Sequence, residues 1–400
     1  MNTDGGTKFP WDFGVYDAHC HPTDTMAAMP AIPSMKARVL TVMSTRAQDQ
    51  DLVATAAQGH PGLDFQQCDS TEGKESACKF LPSFGWHPWF SYQLYDETMY
   101  DGATSLSEEQ KSQHYKSVMT PVPEDENFIK ALPDPVSLCQ FIDETRERLI
   151  ANPLALVGEI GFDKAFRIPI PWAEPGSNCK DAGLTPGGRE GRRLSPHRVA
   201  VDHQKLVLTR QLNLAGELGR AVSVHGVGSP GVFHSTVSAT WKGHEKPNMS
   251  NRQKRAQMAD NRTKIDDLAL KVEEGKLDEH VRYHPKPFPP RICLHSYSGG
   301  PPFTRQWLDK TIPADVFFSF SMVVNFEGPR PDESVETVKK IPDDRILVES
   351  DLHVAGEEMD MYLEKGVRKI CEIKGWGLEE GVKILGRNWK RFVFGQDPGV

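Results

Sequence analysis

Eight short apolar runs recur along this 400-residue chain, each bounded by polar or turn residues, and that rhythm constrains the fold most. They are Val15–Tyr16, Arg38–Met43, Phe80–Gly85, Leu154–Val157, Ala221–Val224, Arg291–Leu294, Val316–Phe320 and Ile346–Val348. Several are too apolar to keep one face in water, as expected of parallel strands covered by helices. Helical patterns lie between many of them. Pro135–Asn152 carries Leu138, Ile142, Leu149 and Ile150 among charges. Asp202–Gly219 sets Leu208, Leu212, Ala215 and Leu218 on one face, with Gly219 as a C-terminal stop. Asp332–Lys340, Glu357–Lys374 and Leu378–Phe392 complete the series. Eight strands alternating with helices predict an α/β fold closed into a (β/α)₈ barrel. No G-x-G-x-x-G follows the first strand to support a dinucleotide-binding fold, and no solenoid period is evident.

Three stretches break the alternation: Ser91–Asp134, Phe166–Arg198 and Ser235–Pro289. Set aside, they leave 268 residues, close to the roughly 250 of a typical barrel. One barrel domain is therefore expected over residues 1–400, carrying long loop insertions rich in Pro, Gly and charge. Within the third, Trp241–Lys264 has seven Lys/Arg against two acidic residues. It reads as a solvated excursion; the sharper reading is a phosphate-attracting flap over the site, led by Arg252, Lys254 and Arg255.

The net charge of −8 gives no global attraction to nucleic acid, so polyanion binding must come from local patches or bound metal. Seven scattered cysteines without a C-x-x-C pair argue against a disulfide framework and fit reduced thiols. The first dozen residues lack the apolar core of a secretory signal, and no run approaches a membrane span. A soluble protein of the cytoplasm or nucleus is expected.

The first strand runs into Asp17-Ala18-His19-Cys20-His21. Side chains alternate along a strand, so Asp17, His19 and His21 share a face; two imidazoles so placed can grip one cation, with Asp17 orienting one of them. An H-x-H alone is weak. However, His87 follows the third strand, Glu159 and Asp163 the fourth, His225 the fifth, His295 the sixth, and Glu349 and Asp351 the eighth. Working residues of barrel enzymes sit at these C-terminal strand ends, where they converge on one pocket. His87 could finish a turn or touch substrate. Glu349, one layer deeper than Asp351, reads as a buried structural carboxylate, and Asp163 as a cap on the following segment. Asp24 and His353 lie close in sequence without a deciding argument.

As a set, Asp-Ala-His-Cys-His, Gly-Trp-His-Pro, Gly-Glu-Ile-Gly-Phe-Asp, Val-Ser-Val-His, His-Ser-Tyr-Ser-Gly and Glu-Ser-Asp resemble the TatD family of metal-dependent hydrolases. Gln204–Gly219 and Asn388–Phe392 are similar to it as well, and the likeness runs from about Val15 to Gly395, interrupted by the insertions. The resemblance implies two divalent cations, with Mg²⁺ favoured and Zn²⁺ or Mn²⁺ as alternatives. His19 and His21 would bind the first metal, His225 and His295 the second, and Glu159 would bridge both. Asp351 would complete the first and handle the proton of the attacking water. The implied reaction is hydrolysis of DNA phosphodiesters from a 3′ end. One departure stands out: Gly226 and Val227 follow His225, where the family often has an Arg two residues on. That absence favours an alternative ester substrate, such as a D-aminoacyl-tRNA. The long insertions are similar to those of a fungal branch described as partners of an anaphase-promoting-complex repeat subunit. A protein-binding adaptor, catalytic or not, is therefore the second alternative.

Overall fold

All eight expected strands form, and they pair in chain order, each parallel to the next. They are β1 (Tyr16–Cys20), β2 (Val39–Met43), β3 (Lys79–Phe84), β4 (Leu156–Asp163), β5 (Val222–Val227), β6 (Arg291–Leu294), β7 (Asp315–Phe320) and β8 (Ile346–Val348). The circle closes just past β8. There the Asp351 N–H donates to the His19 carbonyl (3.0 Å) and the His21 N–H to the Leu352 carbonyl (2.8 Å). The fold is a TIM-type (β/α)₈ barrel. These features come from a computed structural model that describes residues 8–59, 78–172, 183–189, 191–248 and 284–395.

Ten described α-helices accompany the strands: α1 (Ala47–Gln58), α2 (Glu108–Val118), α3 (Glu126–Ala131), α4 (Leu138–Ala151), α5 (Val201–Glu217), α6 (Pro230–Ala239), α7 (Pro301–Trp307), α8 (Pro331–Lys340), α9 (Glu357–Lys374) and α10 (Leu378–Phe394). Their inward stripes follow from spacing: in α4, Leu138, Phe141, Thr145 and Leu149 are buried while the charges face out. The Ser137 hydroxyl accepts from the Gln140 N–H and caps that helix.

The barrel interior is graded. At its floor, Val39, Leu81, Leu156, Phe317 and Leu347 pack with Trp389 and Phe392 of α10, which plugs the N-terminal face. Tyr16 stacks on Trp389 with ring centroids 4.6 Å apart. Two residues along each strand, where side chains point inward again, sit Thr41, Ser83, Ser223 and Ser319, all fully buried. Each hydroxyl has a partner; Thr41 Oγ1, for example, accepts from the Trp389 indole N–H. Above this layer the strands end in ionisable groups.

The first insertion departs from the expected loop. From Leu94 to Ser137 it forms three short strands and helices α2 and α3 over a core of Tyr92, Tyr115, Val118, Met119, Ile129 and Leu132. Ile168 and Val199, from the second insertion and its edge, complete that core, and Met119–Thr120 pairs antiparallel with Arg198–Val199. The two insertions therefore build one layer on the rim side. A sequence signal for it exists: Ser107 and Gln110 form a reciprocal capping box at the start of α2.

The expected start of the third insertion is early, because Ser235–Ala239 finish α6. Arg252, Lys254 and Arg255 lie outside the described residues. Both ends of that insertion are anchored between α6 and β6, hence on the face opposite the rim. Lys246 N–H donates to the Thr311 carbonyl and Lys286 N–H to that of Gly216. A flap over the site gains no support from these anchors.

Candidate metal centre

The strand ends bring His19, His21, Glu159, His225, His295 and Asp351 together, as the sequence led us to expect. Glu159 sits at the centre. Its Oε1 lies 2.8 Å from His295 Nε2, 3.0 Å from His87 Nε2 and 3.1 Å from His225 Nδ1. Its Oε2 lies 3.5 Å from His19 Nε2 and 3.4 Å from His21 Nε2. Asp351 Oδ1 stands 3.8 and 3.5 Å from the same two nitrogens, which are themselves 3.1 Å apart.

Hydrogen bonds behind the rings decide which nitrogens can donate a lone pair inward. His225 Nε2 faces the Asp163 carboxylate at 3.1 Å, so its proton sits there and Nδ1 is left as a donor atom. His19 Nδ1 is held by Ser223 Oγ at 2.8 Å, and Glu349 lies 3.6 Å behind His295 Nδ1. His87 is the reverse. Its Nδ1 accepts the Trp89 N–H, so Nε2 carries the proton and donates it to Glu159. Proximity alone groups His87 with Glu159 and His225 as a possible metal triad. The tautomer makes His87 a hydrogen-bond donor instead, and the same bond completes the turn suggested by Pro88.

The remaining imidazole and carboxylate atoms fit a divalent cation. Donor atoms about 2.0–2.2 Å from one ion stand about 2.9–3.5 Å from each other in octahedral or tetrahedral arrangements, which brackets most separations above. The electrostatics agree. Burial opposes the charge of Glu159, yet His87, His295 and His19 hold its carboxyl well below the usual range. Asp351 is lowered as well: burial works against it, and the hydrogen bond from His21 and the nearby imidazoles prevail. Burial disfavours a charged His21, but Asp351 and Glu159 raise it to about 9. His19 moves down, through burial and the stacked His295 ring 3.9 Å away. The cluster thus attracts positive charge, and protons and a metal cation compete for it. His, Glu and Asp together suit Zn²⁺, Mn²⁺ or Mg²⁺.

Three supports were missed or misjudged at the sequence level. Asp17 touches no imidazole: it accepts from the Ser350 N–H and hydroxyl and from the His19 N–H, tying β1 to the end of β8. Asp163 does cap, accepting from Ala165 and Phe166 N–H, and in addition holds His225 and the Trp89 indole. Gln204 and Gln211 of α5 pin the strand ends: their amides bond the backbone of Asp163 and of Trp86 on both sides. Two glutamines seven residues apart on an apolar face were the available signal. Glu349 is buried and accepts from the Ser296 N–H and hydroxyl, the structural role expected. Ser296 and Asp351 are also two of the three described non-glycine residues with positive φ (39° and 55°). Such strain gathers where function overrides local preference.

The cluster forms the base of a cavity of about 370 Å³. Its guanidinium groups come from Arg46 and Arg189 rather than from the segment after His225. Asp24 and His353 meet at its mouth, Oδ2 to Nδ1, at 2.7 Å.

Comparison with known proteins gives the same direction. The model of the family described as TatD related DNase matches residues 16–394. The Cut9-interacting protein scn1 of Schizosaccharomyces pombe is 35% identical over 379 residues, spanning 95% of this chain and 98% of that protein. An uncharacterized deoxyribonuclease of Saccharomyces cerevisiae is 27% identical over 272 residues, 67% of this chain and 64% of the relative. A TatD homologue from Escherichia coli aligns over 96% of this chain and 98% of its own, with 14% identity and a TM-score of 0.47. Family model, sequence relatives and the cluster of imidazoles and carboxylates make one consistent set: this chain belongs to the TatD-related DNase family of metal-dependent hydrolases.

Proposed function

We propose that the chain hydrolyses phosphodiester bonds of DNA, working from a 3′ end, with two divalent cations. The carrying observation is the convergence of four inward-facing imidazoles on Glu159 and Asp351 in one pocket. His19, His21 and Asp351 would hold one ion, His225 and His295 the other, and Glu159 both. Bound cations supply Lewis acidity toward the attacking water and the phosphoryl oxygens. Asp351, at the pocket surface and ionised, accepts the proton of that water. His87 donates to Glu159 and fixes its carboxylate, and the same imidazole lines the pocket where substrate enters. Metal-reconstituted protein should degrade single-stranded DNA. Activity that survives combined Glu159→Gln and Asp351→Asn substitution rejects the assignment. A parallel assay on D-aminoacyl-tRNA separates the phosphodiester from the carboxylic-ester reading.

A protein-partner role alongside hydrolysis is favoured by the fission-yeast relative, whose name records an interaction with Cut9. The third insertion, anchored away from the rim, offers a surface for it. Deleting residues 249–283 tests this reading: partner capture should be lost and hydrolysis kept, and loss of both would reject separate surfaces. Among the described residues no helix is long and apolar enough to cross a membrane.

A further inference from the structure

We propose that Arg189 receives a substrate phosphate, presented by an inserted arm that Arg46 locks against the rim. The proposal rests on the phosphodiester reading above. Three basic side chains other than the candidate ligands and His87 line the cavity: Arg46, Arg189 and His353. His353 is engaged with Asp24. Arg46 has spent its whole fork. Its Nε donates to the Pro186 carbonyl, Nη1 to Thr45 Oγ1 and Asp49, and Nη2 to the Thr185 carbonyl and Asp24. A guanidinium has five N–H groups, and all five are used. Arg46 therefore positions; it has nothing left for an incoming anion.

What Arg46 positions is the arm at residues 183–189. The Thr185 N–H donates to the Asp24 carbonyl at 2.8 Å, and its hydroxyl to that of Thr23. Gly187 turns the arm at φ +93°, against Gln48, where a Cβ would come within 2.7 Å of the amide oxygen. Beyond it, Arg192 donates to the carbonyls of Gly188 and Arg189. The backbone of Arg189 is thus held on both sides while its side chain is exposed at the mouth. Among the described residues its guanidinium has no carboxylate partner. The cavity floor is rich in carboxylates, so a polyanion entering it needs a cation at the mouth. A planar guanidinium suits a phosphate in a way an ammonium does not.

The test compares wild type with Arg189→Gln and Arg189→Lys, using a fluorescein-labelled single-stranded decanucleotide and the metal-loaded protein. Arg189→Gln should weaken binding roughly tenfold and reduce the slope of log K against log salt by about 0.7, one phosphate contact. KM should rise with kcat nearly unchanged, and Arg189→Lys should recover most of the salt slope. Wild-type slope and KM in Arg189→Gln would overturn the proposal. Calorimetry with inorganic phosphate separates the two possible failures. Weaker phosphate binding by Arg189→Gln in a protein inert on DNA upholds the arm and rejects the DNA reading. Equal phosphate affinity in the two proteins, without a DNA phenotype, rejects the arm.

Discussion

At the rim, polar atoms crowd together because eight strands end there; in the layer of residues 94–137, apolar side chains gather beneath a charged exterior. The rim spends stability. Buried Glu159 and half-buried Asp351 remain ionised because imidazoles surround them, and Ser296 and Asp351 adopt positive φ. The layer gains stability in the ordinary way, through Tyr115, Ile129 and Leu132 around one core and through capped helices. The contrast teaches that chemistry and added mass are separable in this chain. The barrel fixes where the ionisable groups go; the insertions determine what surrounds the mouth.

Four substitutions or conditions break or sharpen that division. The largest effect belongs to Asp351→Asn, expected to lower kcat about 100- to 10,000-fold with an unchanged melting temperature. A loss below tenfold would remove its proton-accepting role. Next is Leu132→Ala in the layer core, expected to cost about 2–5 kcal/mol locally. Hydrogen exchange should then quicken over residues 108–132 while metal affinity at the rim stays constant. Simultaneous loss of metal would show that the two regions are not separable.

A pH effect of about 3 kcal/mol is expected from His114. Its Nε2 donates to the Tyr92 carbonyl, and burial pushes its pKa from 6.5 down to about 4. The unfolded chain therefore takes up the proton first. This share of stability is complete above pH 6.5, falls as pH drops from 6.5 toward 4, and is lost below that. Denaturant melts of wild type and His114→Gln should diverge over that window; parallel curves would contradict the assignment. The smallest effect is for Asp163→Asn, expected to reduce metal affinity about 10- to 100-fold, because His225 loses its rear partner. Equal affinity would mean that the ring needs no such support.

The same contrast explains what the sequence revealed. Parallel strands buried on both faces must be apolar, so Arg291–Leu294 and Ile346–Val348 were readable to the residue. β4 was readable only to Val157, because Gly158-Glu159-Ile160-Gly161-Phe162-Asp163 continues it with glycines and carboxylates. The donors followed from their places at the C-terminal ends of the strands, with alternation adding only the shared face of His19 and His21. Their supports did not: Gln204 and Gln211 act through backbone atoms of other strands, and Asp163 serves two partners from one cap position. Arg46 was invisible for the same reason, since its role depends on an arm distant in the chain. The layer escaped because α2 presents so many charges that its apolar face, Tyr115 and Val118, does not dominate the pattern.

Metal stoichiometry by equilibrium dialysis with elemental analysis is the most direct test of the central claim. Wild-type protein should bind roughly two divalent ions per chain, and His225→Ala combined with His295→Ala should bind fewer while staying folded. A wild-type protein that takes up no ion from saturating Mg²⁺, Mn²⁺ or Zn²⁺ would contradict it.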